Sequence, residues 1–265
     1  MPKIMVFIPA YCCENQIKRV IASLNPDIVR KFAEIVVIEN RSPDNTLQCA
    51  REALAGLAAQ RLCKATLLQN DANYNLGGSH KVAFNYCLEK GYEYLIVLHG
   101  DDQGDIRDLL PWLDKENFGR FACLLGARFD KASQLPGYSR FRICGNIAFN
   151  ALISFVTRTR VLDMGAGLNL YKAEFLADRF YMPFPDDLTF NVYMLYYTIW
   201  KKAPFRFIPL TWKEDDQVSN AKIFRQAAHI LKLTWRYTRN ARALFNGPYG
   251  DCRAYTSQHI PLEPA

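Results

Sequence analysis

His99-Gly100-Asp101-Asp102-Gln103 ends the apolar run Tyr94 to Leu98 with an imidazole, two carboxylates and an amide. Polar groups at the carboxyl end of a strand stand where open α/β sheets bind ligands. Asp, His and Gln there could hold a divalent ion, and a hard ion with free positions also takes phosphate oxygens. The competing reading is a polar turn before a helix from Ile106 to Leu113, capped by Asp105. Three more polar clusters follow three earlier apolar runs. Pro9, Ala10, Tyr11 and Glu14 follow Ile4 to Ile8. Glu39-Asn40-Arg41-Ser42-Pro43-Asp44-Asn45-Thr46 follows Ile35 to Ile38. Asn75-Leu76-Gly77-Gly78-Ser79-His80-Lys81 follows Ala65 to Leu68. Four such clusters on one sheet edge make one site. Its contents suit a nucleoside diphosphate: acidic and amide groups for base and ribose, glycines for close approach, a lysine, and a metal position.

The elements that must position these groups alternate. Ile17, Val20, Ile21 and Leu24 fall on one helical face, as do Leu47, Ala50, Leu54 and Leu57. Ser42-Pro43 reads as N-cap and first helical position, and Ser79 as the cap of a helix carrying Val82, Ala83, Tyr86 and Cys87. This βαβα succession predicts an α/β fold, a mostly parallel sheet flanked by helices. Further on, Phe121 to Gly126 and Phe205 to Pro209 read as strands, Gly165 to Tyr171 as a loop and short strand. Asn146 to Val156 and Leu188 to Lys201 read as helices. Ala221 to Leu244 reads as a long basic amphipathic helix. The expected organisation is one domain over residues 1–220, with a helix and tail appended over 221–265.

Bulk properties narrow the class. Half of the 265 residues are apolar and 22% charged, an ordinary globular composition. The net charge of +7 favours an anionic partner. The excess sits late, in Lys201, Lys202, Arg225, Lys232, Arg236, Arg239 and Arg242, which argues against a uniformly basic nucleic-acid binder. The eight cysteines show no zinc spacing and no Cys-x-x-Cys pair, pointing to free thiols in a reducing cytoplasm. Met1-Pro2-Lys3 leads straight into a strand without signal-peptide character, and no apolar stretch reaches the roughly 18 residues of a spanning helix.

Taken in order, the motifs resemble glycosyltransferase family 2, of GT-A fold, and especially its dolichyl-phosphate-mannose-synthase-like branch. The family's Pro-x-Tyr-Asn-Glu appears as Pro9-Ala10-Tyr11-Cys12-Cys13-Glu14. Its Val-Val-Asp-Asp-x-Ser-x-Asp-x-Thr appears as Val37 to Thr46, and its Asn-x-Gly-x-(Gly/Ser) as Asn75 to Ser79. Its Asp-x-Asp-x-Gln appears as His99 to Gln103. Gly126-Ala127-Arg128, Ser139-Arg140-Phe141, Asn146, Asn150 and Asp163-Met164-Gly165-Ala166-Gly167-Leu168 continue the pattern. The resemblance spans roughly residues 4 to 222. His99 departs from the family's first metal carboxylate, and Asn40 from its second acidic position. The family's Arg-x-x-Gly-x-Ser-Lys becomes Glu214 to Lys222, without the arginine.

The resemblance implies inverting transfer of a sugar from a nucleotide-diphosphate sugar to a polyprenyl-phosphate or glycan acceptor, assisted by Mn2+ or Mg2+. Asp101, Gln103 and His99 are the expected metal ligands. Pro9, Ala10, Tyr11, Glu14, Glu39, Asn40, Asn75, Gly77, Gly78, Lys81, Gly100, Asp163 and Lys222 are the expected donor contacts. Arg128, Arg140 or Lys222 would stabilise the leaving diphosphate. Asp186 and Asp187 stand near the family's catalytic Glu-Asp; a hydroxyl acceptor needs such a base, whereas an ionised phosphate does not. Their structural reading is a cap for the helix from Leu188. The basic helix could lie on an anionic membrane, giving a cytoplasmic protein peripheral to the inner face. Two other readings compete. A sugar-nucleotidyltransferase would need a glycine-rich loop after the first strand, which Pro9 to Cys13 lacks. A degenerate, non-catalytic nucleotide or membrane binder draws support from His99.

Overall fold

The runs Ile4 to Ile8, Ile35 to Ile38 and Tyr94 to Leu98 carry apolar residues at every position, so both faces of their strands must be covered. The computed structural model describes residues 2–114, 118–214, 223–247, 249–250 and 254–262. Strands β1 (Ile4–Ala10), β2 (Glu34–Glu39), β3 (Lys64–Asn70) and β4 (Tyr94–Leu98) are parallel. They are joined by α1 (Ile17–Ser23), α2 (Pro26–Val29), α3 (Thr46–Ala59) and α4 (Asn75–Glu89). After a 3-10 turn at Ile106–Asp108 come α5 (Leu110–Leu113), β5 (Cys123–Ala127), α6 (Arg140–Thr157), β6 (Leu168–Lys172) and α7 (Ala173–Leu176). The chain continues through α8 (Phe190–Trp200), β7 (Phe205–Pro209), α9 (Ile223–Phe245) and β8 (Ser257–Ile260). The sheet runs β7-β5-β6-β4-β1-β2-β3-β8. Strand β6 is antiparallel to β4 and β5, and β8 is antiparallel to β3.

Successive residues of a strand point to opposite faces, and here they feed two cores. Met5, Phe7, Leu95 and Val97 pack with α4, α8 and α9; Val6, Ile8, Ile35 and Ile96 pack with α1 and α3. The succession of strand and helix predicted for the first four strands holds. Several boundaries differ for local reasons. Helix α3 begins at Thr46, because Ser42 is held in the preceding turn: its N–H donates to Glu39 (2.5 Å) and its hydroxyl accepts from the Cys12 N–H (3.1 Å). Helix α4 begins at Asn75, so the polar third cluster forms its first two turns rather than a loop capped by Ser79.

The C-terminal region departs most from expectation. The apolar side expected of the helix read over Ala221 to Leu244 comprises Ile223, Ala227, Ile230, Leu231, Thr234 and Trp235; the Ile223 side chain lies outside the described residues. Ile230 and Thr234 are buried together with Leu233, Leu244 and Phe245, whereas Leu231 and Trp235 are 42% and 58% exposed. Hydroxyls of Tyr196 and Thr234 meet at 2.6 Å, docking α9 on α8. The helix breaks at Asn240, whose side chain accepts from the Ala243 N–H and caps the last turn. The segment read as a tail returns to the sheet as β8, with no apolar run in the sequence to signal it.

Candidate active site

The carboxyl ends of β1, β2 and β4 and the start of α4 enclose an open cleft of about 350 Å3. Pro9, Ala10, Tyr11 and Cys13 form one wall, and Asn40, Asn73, Asn75, Leu76 and Ser79 another. His99, Gly100 and Asp101 lie between them, with Asp187 and Leu188 along the far rim. No lysine or arginine lines the cleft among the described residues.

The backbone after β4 aims Asp101 inward. Gly100 donates its N–H to the Pro9 carbonyl at 3.1 Å, and a Cβ there would come within 2.8 Å of that oxygen. Glycine therefore lets the two loops touch. Asp102 adopts φ +59°, a left-handed conformation that Asp tolerates, and turns outward to an ion pair with Arg19 at 2.7 Å. Of the two carboxylates, Asp101 alone reaches the cleft. It accepts the Gln103 N–H at 3.3 Å and, among the described residues, forms no ion pair with a lysine or arginine. Burial pushes its pKa up to about 6, the mark of a carboxylate whose charge lacks compensation.

His99 stands beside it, Nδ1 3.9 Å from the Asp101 carboxylate. Burial foremost, and then the nearby Arg128 charge, push the imidazole down to about 4, so it is neutral at pH 7. Its Nε2 is buried without a hydrogen-bond partner. A Cβ at residue 167 would fall 2.6 Å from the His99 ring, so Gly167 of the Asp163 to Leu168 motif makes room for the imidazole. His80, read from sequence as structural, packs 6.1 Å from His99, its Nδ1 2.8 Å from the Leu76 carbonyl oxygen. Gln103, expected as a metal ligand, supplies only its backbone N–H and does not line the cleft. Among the described residues no three His, Cys, Asp or Glu gather around one point. Asp101, with His99 beside it, would supply the protein side of a divalent-ion site, and phosphate oxygens of a bound nucleotide would complete it. That is how magnesium-type sites using few carboxylates are built.

The second cluster builds the adjoining wall. Asn40 donates to Asn73 Oδ1 at 2.9 Å and accepts from Asn70 Nδ2 (2.9 Å) and the Tyr74 N–H (2.8 Å), tying β2, β3 and the start of α4 together. Tyr11, 48% exposed, offers its ring to the cleft. Asn73 lies on the wall although the motif reading passed it over. Glu39 and Glu14 are corrected. Glu39 is buried, accepting from Ser42 N–H and Gln69 Nε2. Glu14 accepts the Asn45 N–H at 2.9 Å. Both shape loops without reaching the cleft.

Gly77, Gly78 and Lys81 also serve a different purpose from the expected one. A Cβ on Gly77 would meet the Pro185 carbonyl oxygen at 2.6 Å, and one on Gly78 would meet Tyr74 Cβ at 2.5 Å. These glycines admit protein, namely the 185–190 segment and the chain around Tyr74. Lys81 is fully buried, its ammonium 2.7 Å from Asp186. Asp186 thus faces the protein interior, and Asp187 is the carboxylate on the cleft rim. Asp187 accepts from the Thr189 N–H (2.8 Å) and hydroxyl (2.5 Å), which closes the turn just before α8, whose own N-cap Thr189 makes no side-chain capping bond.

Arg128 and Asp163, expected on the diphosphate and donor, neutralise each other. Asp163 accepts from Arg128 Nε (2.7 Å), Nη2 (2.8 Å) and backbone N–H (3.0 Å). Arg128 also stacks over Trp212, its Cζ 5.2 Å from the ring centre. The pair locks the end of β5 to the loop before β6, behind His99. Arg140 is exposed at the start of α6, off the cleft. Lys222 lies outside the described residues.

A mostly parallel sheet with a cleft at its carboxyl edge and Asp101 turned inward after β4 is the layout of a GT-A-fold, nucleotide-sugar-dependent glycosyltransferase, and the family match places the chain in that class. The model of Glycosyl transferase family 2 matches residues 5–180, and the chain belongs to that family. No curated protein sequence matches it. Among solved structures, a mycobacterial protein is similar at TM-score 0.62 and 15% identity, covering 98% of this chain and 84% of the other. Glucosyl-3-phosphoglycerate synthase of Mycobacterium tuberculosis, in complex with Mn2+, UDP-glucose and phosphoglyceric acid, is similar at TM-score 0.59 and 14% identity. That likeness covers 100% of this chain and 88% of the other. The same enzyme with Mn2+, UDP-glucose and glycerol 3-phosphate gives 0.57 and 14%, over 89% and 80%.

Proposed function

We propose that this chain transfers a sugar, with inversion, from a nucleoside-diphosphate sugar bound in the cleft to a polyprenyl-phosphate acceptor at an anionic membrane. The observation that carries the donor half is the uncompensated Asp101 in a cleft lined by no lysine or arginine among the described residues. A diphosphate placed against that carboxylate needs a cation between them. Asp101, with His99 beside it, would hold manganese or magnesium, which supplies Lewis acidity to the departing diphosphate. Tyr11 stacks on the base, Asn40 and Asn73 orient the ribose and base edges, and Asp187 faces the sugar from the far rim. If the attacking group is a hydroxyl, Asp187 takes its proton; an acceptor phosphate attacks already ionised.

The acceptor half rests on the surface of α6 and α9, which pack against each other. Neither helix contains an Asp or Glu. Phe141 and Phe155 of α6 are 86% and 84% exposed, Leu152, Leu231 and Trp235 less so, and Arg239 stacks on Trp235. Exposed apolar groups on two helices that themselves carry Arg and Lys but no Asp or Glu match an anionic lipid interface. No described helix is long and apolar enough to cross a membrane. The neighbours solved with phosphoglyceric acid or glycerol 3-phosphate favour a second reading, a small phosphorylated acceptor.

A thermal-shift panel of UDP, GDP, CDP and dTDP, each with and without manganese, tests the donor half. A ligand that binds only the folded state raises Tm. One nucleotide that stabilises the protein only with manganese is the expected result. No stabilisation by any of the four would overturn the reading and favour a non-catalytic family member.

A further inference from the structure

The C-terminal segment meets the buried Lys81–Asp186 pair. Tyr255, just ahead of β8, donates its hydroxyl to both Asp186 oxygens, at 2.8 and 3.0 Å, and accepts from Lys81 Nζ at 3.0 Å. Lys81 Nζ also lies 4.7 Å from the centre of the Tyr255 ring. One cation and one carboxylate, both taken out of water, are stable only when their remaining hydrogen-bonding capacity is met. Here a residue about 70 positions further along the chain helps to meet it. The segment bearing Tyr255 is fixed on both sides. The Thr256 N–H donates to Tyr74 and the Thr256 carbonyl accepts from the Asp71 N–H, while β8 runs antiparallel along β3 from Asn70↔Ser257 to Leu67↔Ile260.

Asp186 is next to Asp187, the carboxylate on the rim. The Asp186 carbonyl accepts the Gly77 N–H at 2.6 Å, and that of Asp187 accepts the Phe190 N–H at 3.1 Å. The rim is therefore held from α4 below, from α8 behind, and from the C-terminal strand through Tyr255. We infer that Tyr255 is a positioning residue: the contact Tyr255–Asp186–Lys81 sets where Asp187 and Leu188 stand over the cleft, which makes the C-terminal strand part of the active-site framework. This rests on the proposed reading of the cleft, in which Asp187 faces the transferred sugar.

The test uses the full-length chain with Tyr255→Phe, which keeps the ring and removes the hydroxyl, and Asp186→Asn as a second variant. Hydrogen exchange is followed at the amides of Gly77, Thr189 and Phe190 and at those of β1, β2 and β4. Manganese-dependent hydrolysis of the preferred nucleotide sugar, without acceptor, is measured alongside the Kd of the nucleoside diphosphate. Both variants should exchange at least tenfold faster at the three rim amides, with the central strands unchanged. The hydrolysis kcat should fall about tenfold while the nucleotide Kd stays within twofold. Unchanged rim exchange, an unchanged kcat, or acceleration spread equally through the central strands would overturn the assignment. Failure of the parent protein to bind any nucleoside diphosphate would instead remove the donor reading, and the exchange experiment would still decide whether Tyr255 holds the rim.

Discussion

At the residue scale, function and stability oppose each other at Asp101. A carboxylate raised to about 6 in the folded chain, against about 4 unfolded, binds its proton more tightly when folded. Stability is then lost as pH rises from about 4 to 6 and stays lower above that range. Asp101→Asn removes the penalty. Without metal, the variant should melt several degrees above the parent at pH 8, with the gap closing below pH 4, and it should lose all manganese-dependent stabilisation by nucleotide. Retention of that stabilisation would rule out Asp101 as the metal's anchor. His99 adds a second expectation. A neutral imidazole suits manganese better than magnesium, so activity should be higher with manganese, and His99→Asp should narrow the difference. Equal activity of the parent with both ions would exclude ligation by His99.

At the scale of elements, the parallel strands are pinned at their amino ends by another buried charge. Glu34, the fully buried first residue of β2, pairs with Lys64 of β3 at 2.9 Å and accepts from Tyr86 at 3.0 Å. It also accepts from Thr66 and Tyr92. Burial works to raise its pKa, but the hydrogen bonds from Thr66, Tyr92 and Lys64 outweigh burial and lower it. A depressed folded-state pKa gives stability that is present above the unfolded value of about 4.3 and lost as pH falls through the folded one. Glu34→Gln should therefore lower Tm at pH 7 by several degrees, since it removes the charged acceptor of the Thr66, Tyr86 and Tyr92 hydroxyls and leaves them poorly matched. The variant's Tm should also fall less than the parent's between pH 5 and 3. A Tm equal to the parent's at pH 7 would show that the cluster contributes nothing to the strand order. The opposite end of the same strands carries the cleft, so nucleotide affinity should survive the substitution in whatever fraction remains folded.

At the scale of the whole molecule, the proposed reading assigns the donor to the cleft and the acceptor to the exposed apolar surface of α6 and α9. The membrane reading predicts that the protein co-sediments with vesicles containing phosphatidylglycerol at low salt and is released at high salt. Each basic residue near an anionic surface contributes roughly 1 kcal/mol. Lys232 and Arg239 replaced by Gln should weaken this binding about tenfold or more. Phe141 and Phe155 replaced by Ser should weaken it without altering the salt dependence. Nucleotide-induced stabilisation should be unchanged in all of these. Indifference of the parent protein to anionic vesicles at low ionic strength would favour the small phosphorylated acceptor.

The sequence by itself determined the layout of the catalytic half. Near-continuous apolar runs can only be strands covered on both faces, helical spacing between them forces parallel connections, and polar clusters at their ends must then share one edge. That logic, with the order of the motifs, reached the fold, the family and the inward position of Tyr11, Asn40, Asn75, His99 and Asp101. It could not separate neighbours in a motif. Asp186 and Asp187 carry the same chemistry side by side, and which of them faces the cleft depends on the distant Lys81. Glu14, Glu39, Gly77, Gly78 and Lys81 carry the right chemistry for a nucleotide but are consumed by loop capping, close helix packing and a buried ion pair. Strand β8 is four residues, Ser257 to Ile260, without apolar periodicity. Its structure comes from the exposed backbone edge of β3, and its reach to Asp186 through Tyr255 exists only once the sheet has formed. Side chains remote in sequence acquire their partners from topology, and no spacing along the chain records them.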